Sequence, residues 1–136
     1  DLAKSKINEN PVYYVQYVHA RIHRVLKELK NNGLVFDKQS GIANLRKLSA
    51  EHETDIIAKL SDYPDVIQQS AKKKSVHALA NYLIELAQLV HSYYNAHRFI
   101  VENMELRNAR IALITAASFV INDGLSILGV SAPEKM

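Results

Sequence analysis

Apolar residues recur along most of this chain at helical spacing. Val15, Val18, Ile22, Val25, Leu26 and Leu29 follow one another at steps of three, four and one, which places them on one stripe of a helix. Asn10-Pro11 supplies a start, with Asn as the N-cap and Pro in the first turn. Asn32-Gly33 supplies an end, with Gly at the C-cap position. The spacing predicts a helix over about 11–31.

Residues 33–49 are the least regular stretch. Gly41 sits among polar residues there, and Ile42, Leu45 and Leu48 fit one short helix. Ser49 opens the next element. Glu51, Glu53 and Asp55 cluster near that start, where acids complement the positive end of a helix dipole. Ile56, Ile57 and Leu60 supply its core face. Tyr63-Pro64 breaks the chain, and Asp62 or Tyr63 caps a further short helix with Val66, Ile67 and Ala71. Lys72-Lys73-Lys74 forms a basic hinge before Ser75.

Two long helices follow. The first spans about 75–101 and carries Leu79, Leu83, Leu86, Val90, either Tyr93 or Tyr94, and His97. The second spans about 105–128 and carries Leu106, Ala109, Leu113, Ala117, Val120 and either Leu125 or Leu128. At the rise of an α-helix each is roughly 35–40 Å long. The short connection from Glu102 to Glu105 makes the pair antiparallel. Gly129 ends the last helix and Pro133 prevents its return. There is no internal repeat. The expected architecture is all-α: a single domain over 1–136, an antiparallel bundle of about five helices.

Composition sharpens this in a few places. Only four Gly and three Pro leave few turns, which favours long helices. Apolar residues make up 48% and charged residues 23% of the chain, a globular balance and not a disordered one. The absence of cysteine excludes disulfides and thiolate metal sites. A net charge of +3 is compatible with an RNA partner without demanding one. The longest apolar run, Ile111 to Ile121, is interrupted by Thr115 and Ser118 and falls short of a bilayer span. No secretory signal pattern opens the chain. No membrane partner is expected, and a cytoplasmic setting fits.

Catalytic motifs are missing. There is no glycine-rich phosphate loop and no G-x-S-x-G elbow. His19 and His23 are one helical turn apart and share a face, but a zinc site needs further ligands and no His-Glu-x-x-His pattern is present. No metal and no catalytic residue is assigned. Three features stand out from core patterning: Tyr13, Tyr14 and Tyr17 in one helix; the run from Ser92 through Tyr93, Tyr94, Asn95 and His97 to Arg98 and Phe99; and Arg107 with Arg110 just beyond it. Aromatics beside arginines suit unpaired RNA bases, which need a face to stack on and a cation for the phosphate. They equally suit a core whose tyrosine hydroxyls reach the rim, with the arginines solvated or paired to Glu102 and Glu105.

Three stretches resemble a known family. Residues 10–21, Asn-Pro-Val-Tyr-Tyr-Val-Gln-Tyr-Val-His-Ala-Arg, are one. Residues 82–95, from Tyr82 to Tyr93-Tyr94-Asn95, are the second. Residues 106–113 with the tail from Gly124 to Met136 are the third. Together they resemble the C-terminal anticodon-binding domain of arginyl-tRNA synthetase, an all-helical domain named after a D-A-L-R signature. The ending Leu-Gly-Val-Ser-Ala-Pro-Glu, a basic residue and Met is the most specific piece, and it sets aside the related appendage of the cysteinyl enzyme. Two positions depart from the pattern. Tyr93 stands where the family more often has Phe, and Lys135 replaces an Arg, keeping the cation but not its planar fork. Residues 34–49 match poorly.

The resemblance implies an RNA-reading part of an arginine–tRNA ligase. The parent's His-x-Gly-His and Lys-Met-Ser-Lys signatures are absent here. Its ATP, Mg and arginine sites are therefore expected upstream, with residues 1–10 as a remnant of the linker, Met136 as the natural carboxyl end and no cofactor in this stretch. The implied partners are the anticodon loop of an arginine tRNA and the catalytic body of the same chain, in a monomer. Tyr94 would be the stacking wall, Asn95 would fix the helix end or bond a base, and Met136 would close the pocket. Arg98, Arg107 and Arg110 would hold phosphates. Tyr13, Tyr17 and Arg21 would lie at the seam with the catalytic body, or simply pack within the bundle. A helical module that binds only protein is the competing reading, and salt-dependent affinity for tRNA separates the two.

Overall fold

The computed structural model describes residues 10–73 and 76–136. The expected linker remnant up to residue 9, Lys74 of the expected basic hinge, and Ser75 lie outside the described residues; Lys72 and Lys73 of that hinge instead belong to the end of a helix. Within them the chain forms α1 (Pro11–Asn31), α2 (Lys38–Ala43), a 3-10 turn (Leu45–Lys47), α3 (Glu51–Ser61), α4 (Tyr63–Lys73), α5 (His77–Ala96) and α6 (Met104–Ile127). Five of these are at least eleven residues long, and no strand occurs among the described residues.

The expected stripe of α1 is the buried one. Val15, Val18, Ile22, Val25 and Leu29 are all in the core. The Asn10 side chain accepts from the Tyr13 N–H at 3.1 Å, and Gly33 turns the chain with φ of 72°. The irregular stretch resolves into two pieces instead of one helix. Asp37 caps α2 by accepting from Ser40 N–H, and the 3-10 turn follows. Gly41 explains the position of α2. A Cβ there would lie 2.5 Å from the Asn108 carbonyl oxygen on α6, so only glycine allows this approach. Leu48 is buried, whereas Ile42 and Leu45 remain exposed.

α6 is the central helix. It packs against α1, α2, α3 and α5. Over its 24 residues it is apolar enough to suit a bilayer, but that apolarity serves the bundle: Ala109, Ile111, Leu113, Ile114, Ala117, Ile121 and Leu125 are all buried. α5 and α6 run antiparallel, as do α3 and α5, where Glu53 meets Tyr93 and Lys59 meets Glu85. α1 and α5 instead run in the same direction, with Tyr14 beside Ala87 and His91 and Arg21 beside Tyr94. The intervening α2 to α4 bring the chain back to the start.

α5 ends at Ala96, five residues before the expected end, and 97–103 form a loop. The cause is a set of internal donors for its carbonyls. Arg110 Nη1 donates to the Arg98 carbonyl at 2.7 Å and Arg107 Nη1 to that of Val101 at 3.1 Å. Asn103 then caps α6, accepting from the Leu106 N–H at 3.0 Å.

One buried carboxylate ties these elements together. Glu53 is 1% exposed. Its Oε1 accepts from the Ala50 N–H at 3.0 Å, closing the start of α3 where Ser49 was expected to act. Its Oε2 accepts from the Tyr93 hydroxyl at 2.6 Å and from Arg110 Nε at 2.9 Å. Glu53→Gln is therefore expected to destabilise the fold by about 3–5 kcal/mol, since it strands the Arg110 charge inside. In thermal unfolding this is a fall of roughly 10–25 °C. Tyr93→Phe removes one donor only and is expected to cost about 1–3 kcal/mol. Equal melting of Glu53→Gln and the parent would contradict this role.

Candidate nucleic-acid interface

Neighbouring tyrosines at the end of α5 point to opposite environments. Tyr93 is fully buried, and burial followed by the adjacent Glu53 carboxylate pushes its phenol well above the ordinary range, with Arg110 opposing. Its ring meets Phe99 edge-on at 4.9 Å. Tyr94 is half-buried at the surface. The core position left open between the two belongs to Tyr93.

Arg21 comes to Tyr94 from α1. Its guanidinium carbon stands 4.6 Å from the centre of the Tyr94 ring and 5.0 Å from that of Tyr17. These are cation–π distances, and at a partly buried site such a contact contributes about 1–2 kcal/mol. The Arg21 Nε is buried without a hydrogen-bond partner among the described residues. Burial, and then the Arg21 charge, hold the neighbouring His91 imidazole below its usual range. Tyr17 and Arg21 thus join the Tyr94 cluster, and Tyr13 sits half-buried one turn before Tyr17.

Tyr94 lines two spaces. One is a small void shared with Arg21, His91 and Phe99. The other is an open depression of about 450 Å³, bounded by Glu28 and Asn32 from α1 and by Tyr94, His97, Arg98 and Ile100. Its volume lies within the roughly 300–1,000 Å³ of small-ligand sites. Arg98 is exposed at its edge, and its carbonyl, not its guanidinium, is the group fixed by Arg110. Asn95 is exposed, with Nδ2 3.2 Å from His91 Nε2.

Arg107 and Arg110 are placed differently from the phosphate-holding role expected of them. Arg107 is buried at 9% exposure and Arg110 is turned inward to Glu53. Both guanidinium groups are committed to holding the 97–103 loop. Spacing alone could not show this, because their partners lie on a loop that reads as helix.

The tail lies against the other flank of α1. Gln16 Nε2 donates to the Ser131 carbonyl at 2.8 Å, and the buried His19 donates from Nδ1 to that of Pro133 at 2.9 Å. His23 bonds Ser118 of α6 at 3.1 Å and lies 3.9 Å from the Glu134 carboxylate. The His19 and His23 rings are 4.5 Å apart. The face shared by these histidines was legible, but its use as a clasp for a tail some 110 residues away was not. Met136, at 40% exposure, ends this strap and does not line the depression beside Tyr94.

Burial is the main cause that holds His19 below the ordinary histidine range. The folded state therefore binds that proton less readily than the unfolded chain. The stability this gives is present above the unfolded value, about 6.5, and is lost as pH falls through the folded value. His91 acts in the same direction. Melting temperature is expected to fall between pH 7.5 and 5, and His19→Asn to flatten part of that slope. An unchanged slope in His19→Asn would exclude the histidine clasp as its source.

The family model described as the DALR anticodon binding domain matches residues 15–136. An arginine–tRNA ligase of Legionella pneumophila (strain Corby) is 52% identical over the whole chain, which covers 23% of that protein. One of Coxiella burnetii (strain CbuK_Q154) is 51% identical with the same coverage. Among solved structures, the Thermus thermophilus arginyl-tRNA synthetase superposes with a TM-score of 0.73 at 28% identity, over 90% of this chain and 21% of that one. A putative arginyl-tRNA synthetase from Campylobacter jejuni gives 0.80 at 25% identity, over 97% and 29%. The chain thus spans about a quarter of the length of the curated relatives it matches. It belongs to the family of DALR anticodon-binding domains found in arginine–tRNA ligases.

Proposed function

We propose that this chain reads the anticodon loop of arginine tRNA for an arginine–tRNA ligase. The rest of that cytoplasmic, monomeric enzyme would hold ATP and Mg and join arginine to the tRNA. The observation that carries the reading is the Tyr94 ring, braced by Arg21 and lining an open depression. An unpaired base needs such an aromatic face, and Arg98 at the edge supplies a cation for its phosphate. All six arginine codons have G in the middle, so the middle anticodon base is cytosine. Its amino group needs an acceptor, and Glu28, Asn32 and Asn95 stand around the depression or next to Tyr94. Tyr17 and Arg21 belong with this pocket in the proposal. Arg107 and Arg110 act through the loop they hold, and Met136 closes over the bound loop from the end of its strap.

Titration of the chain with an arginine tRNA anticodon stem-loop tests this. Tyr94→Ala is expected to lose about 1–3 kcal/mol of stacking, roughly 5- to 150-fold in Kd. Arg98→Ala is expected to weaken binding for every loop sequence and to lower the salt slope by about one. Arg107→Ala is expected to act on melting temperature first. Unchanged affinity in both Tyr94→Ala and Arg98→Ala would remove the pocket from consideration.

A further inference from the structure

A second surface remains once the Tyr94 pocket and the tail clasp are accounted for. It is a groove of about 730 Å³ between α2, α3 and α6. Phe36, Ile42, Leu45, Ile57, Ala116 and Phe119 line it, and among the described residues Lys38 is its one charged side chain. Phe119 is 75% exposed and Ile42 55%. These are large apolar groups in one contiguous place. On a soluble domain such a patch marks a surface that another protein surface covers.

The groove lies on the far side of the bundle from α1. Ser118 of α6 meets His23 of α1, whereas Ala116 and Phe119 stand well around the helix from it, at 100° per residue. RNA at the Tyr94 pocket therefore leaves the groove free. Its chemistry also excludes nucleic acid, because a single lysine cannot neutralise a phosphate backbone.

We propose that this groove seats the catalytic body of the parent ligase. The inference rests on the function proposed above. It is supported by the relatives: this chain covers only 23% of their length, so in them more than three times as much polypeptide accompanies the matching domain. The occupant is an apolar segment of that body bearing a carboxylate opposite Lys38. Within one chain the seat needs no affinity for a free partner. It also gives the catalytic body a seat separate from the Tyr17 and Arg21 face, which the sequence had offered as the seam.

The chain has no cysteine, so an introduced thiol is unique within it. Ala116→Cys, at an exposed position in the groove, is made in this chain and in the full-length ligase. Alkylation is followed by site-resolved mass spectrometry, with Lys27→Cys on α1 as the control. Labelling at 116 is expected to slow by about tenfold or more in the full-length enzyme while labelling at 27 does not. Adding Phe119→Asp to the full-length protein is expected to restore the fast rate. Equal rates at 116 in both proteins overturn the proposal. So does slow labelling of the short chain with a dimer in gel filtration that Phe119→Asp dissolves, which would make a second copy the occupant. Both proteins are also titrated with the anticodon stem-loop. Loss of that binding fails the RNA function, whereas intact binding with equal labelling fails the docking surface alone.

Discussion

A carboxylate buried beyond the reach of water destabilises a fold by several kcal/mol unless donors surround it. Glu53 has three: the Ala50 N–H, the Tyr93 hydroxyl and Arg110 Nε. Each belongs to a different part of the fold, so the start of α3, the end of α5 and the first turns of α6 are held at one point. Arg110 extends the bond to the Arg98 carbonyl and so fixes the loop that follows α5. Because Tyr93 is drawn inward to Glu53, Tyr94 is left facing outward. The orientation of the surface tyrosine thus follows from a buried charge on a helix some forty residues earlier.

Around that point the molecule divides its work between two flanks of α1. One flank carries Tyr17 and Arg21 to Tyr94 and forms a braced aromatic face. The other carries Gln16, His19 and His23 and fixes the tail that ends at Met136. α1 is therefore more than a packing helix of the bundle. It sets the distance between the aromatic face and the strap, and both must meet an RNA loop in the proposed function.

The long helices were legible in the sequence because their apolar periodicity is strong. α1 needed only its cap and its stripe. The family was legible from the tail and from residues 10–21 and 82–95, and the comparisons bear it out. Three things were not. α2 and the 3-10 turn depend on the contact of Gly41 with α6, which no local pattern encodes. The end of α5 depends on Arg107 and Arg110 reaching back to loop carbonyls, so a continuous periodic reading ran past it. The part of Glu53 depends on partners 40 and 57 residues away, and locally it reads as an ordinary acid in a first helical turn. Periodicity reports which face is buried; it does not report which charge is buried with it.

The central claim is that this domain distinguishes the middle anticodon base. It is tested most directly by titrating the chain, at two salt concentrations, with two anticodon stem-loops that differ only in that base, cytosine against uracil. Tighter binding of the cytosine loop at both salts, with affinity for each falling as salt rises, is the result the account predicts. Equal affinity for the two loops would mean that the Tyr94 face contributes backbone attraction and stacking without reading the base, and would contradict it.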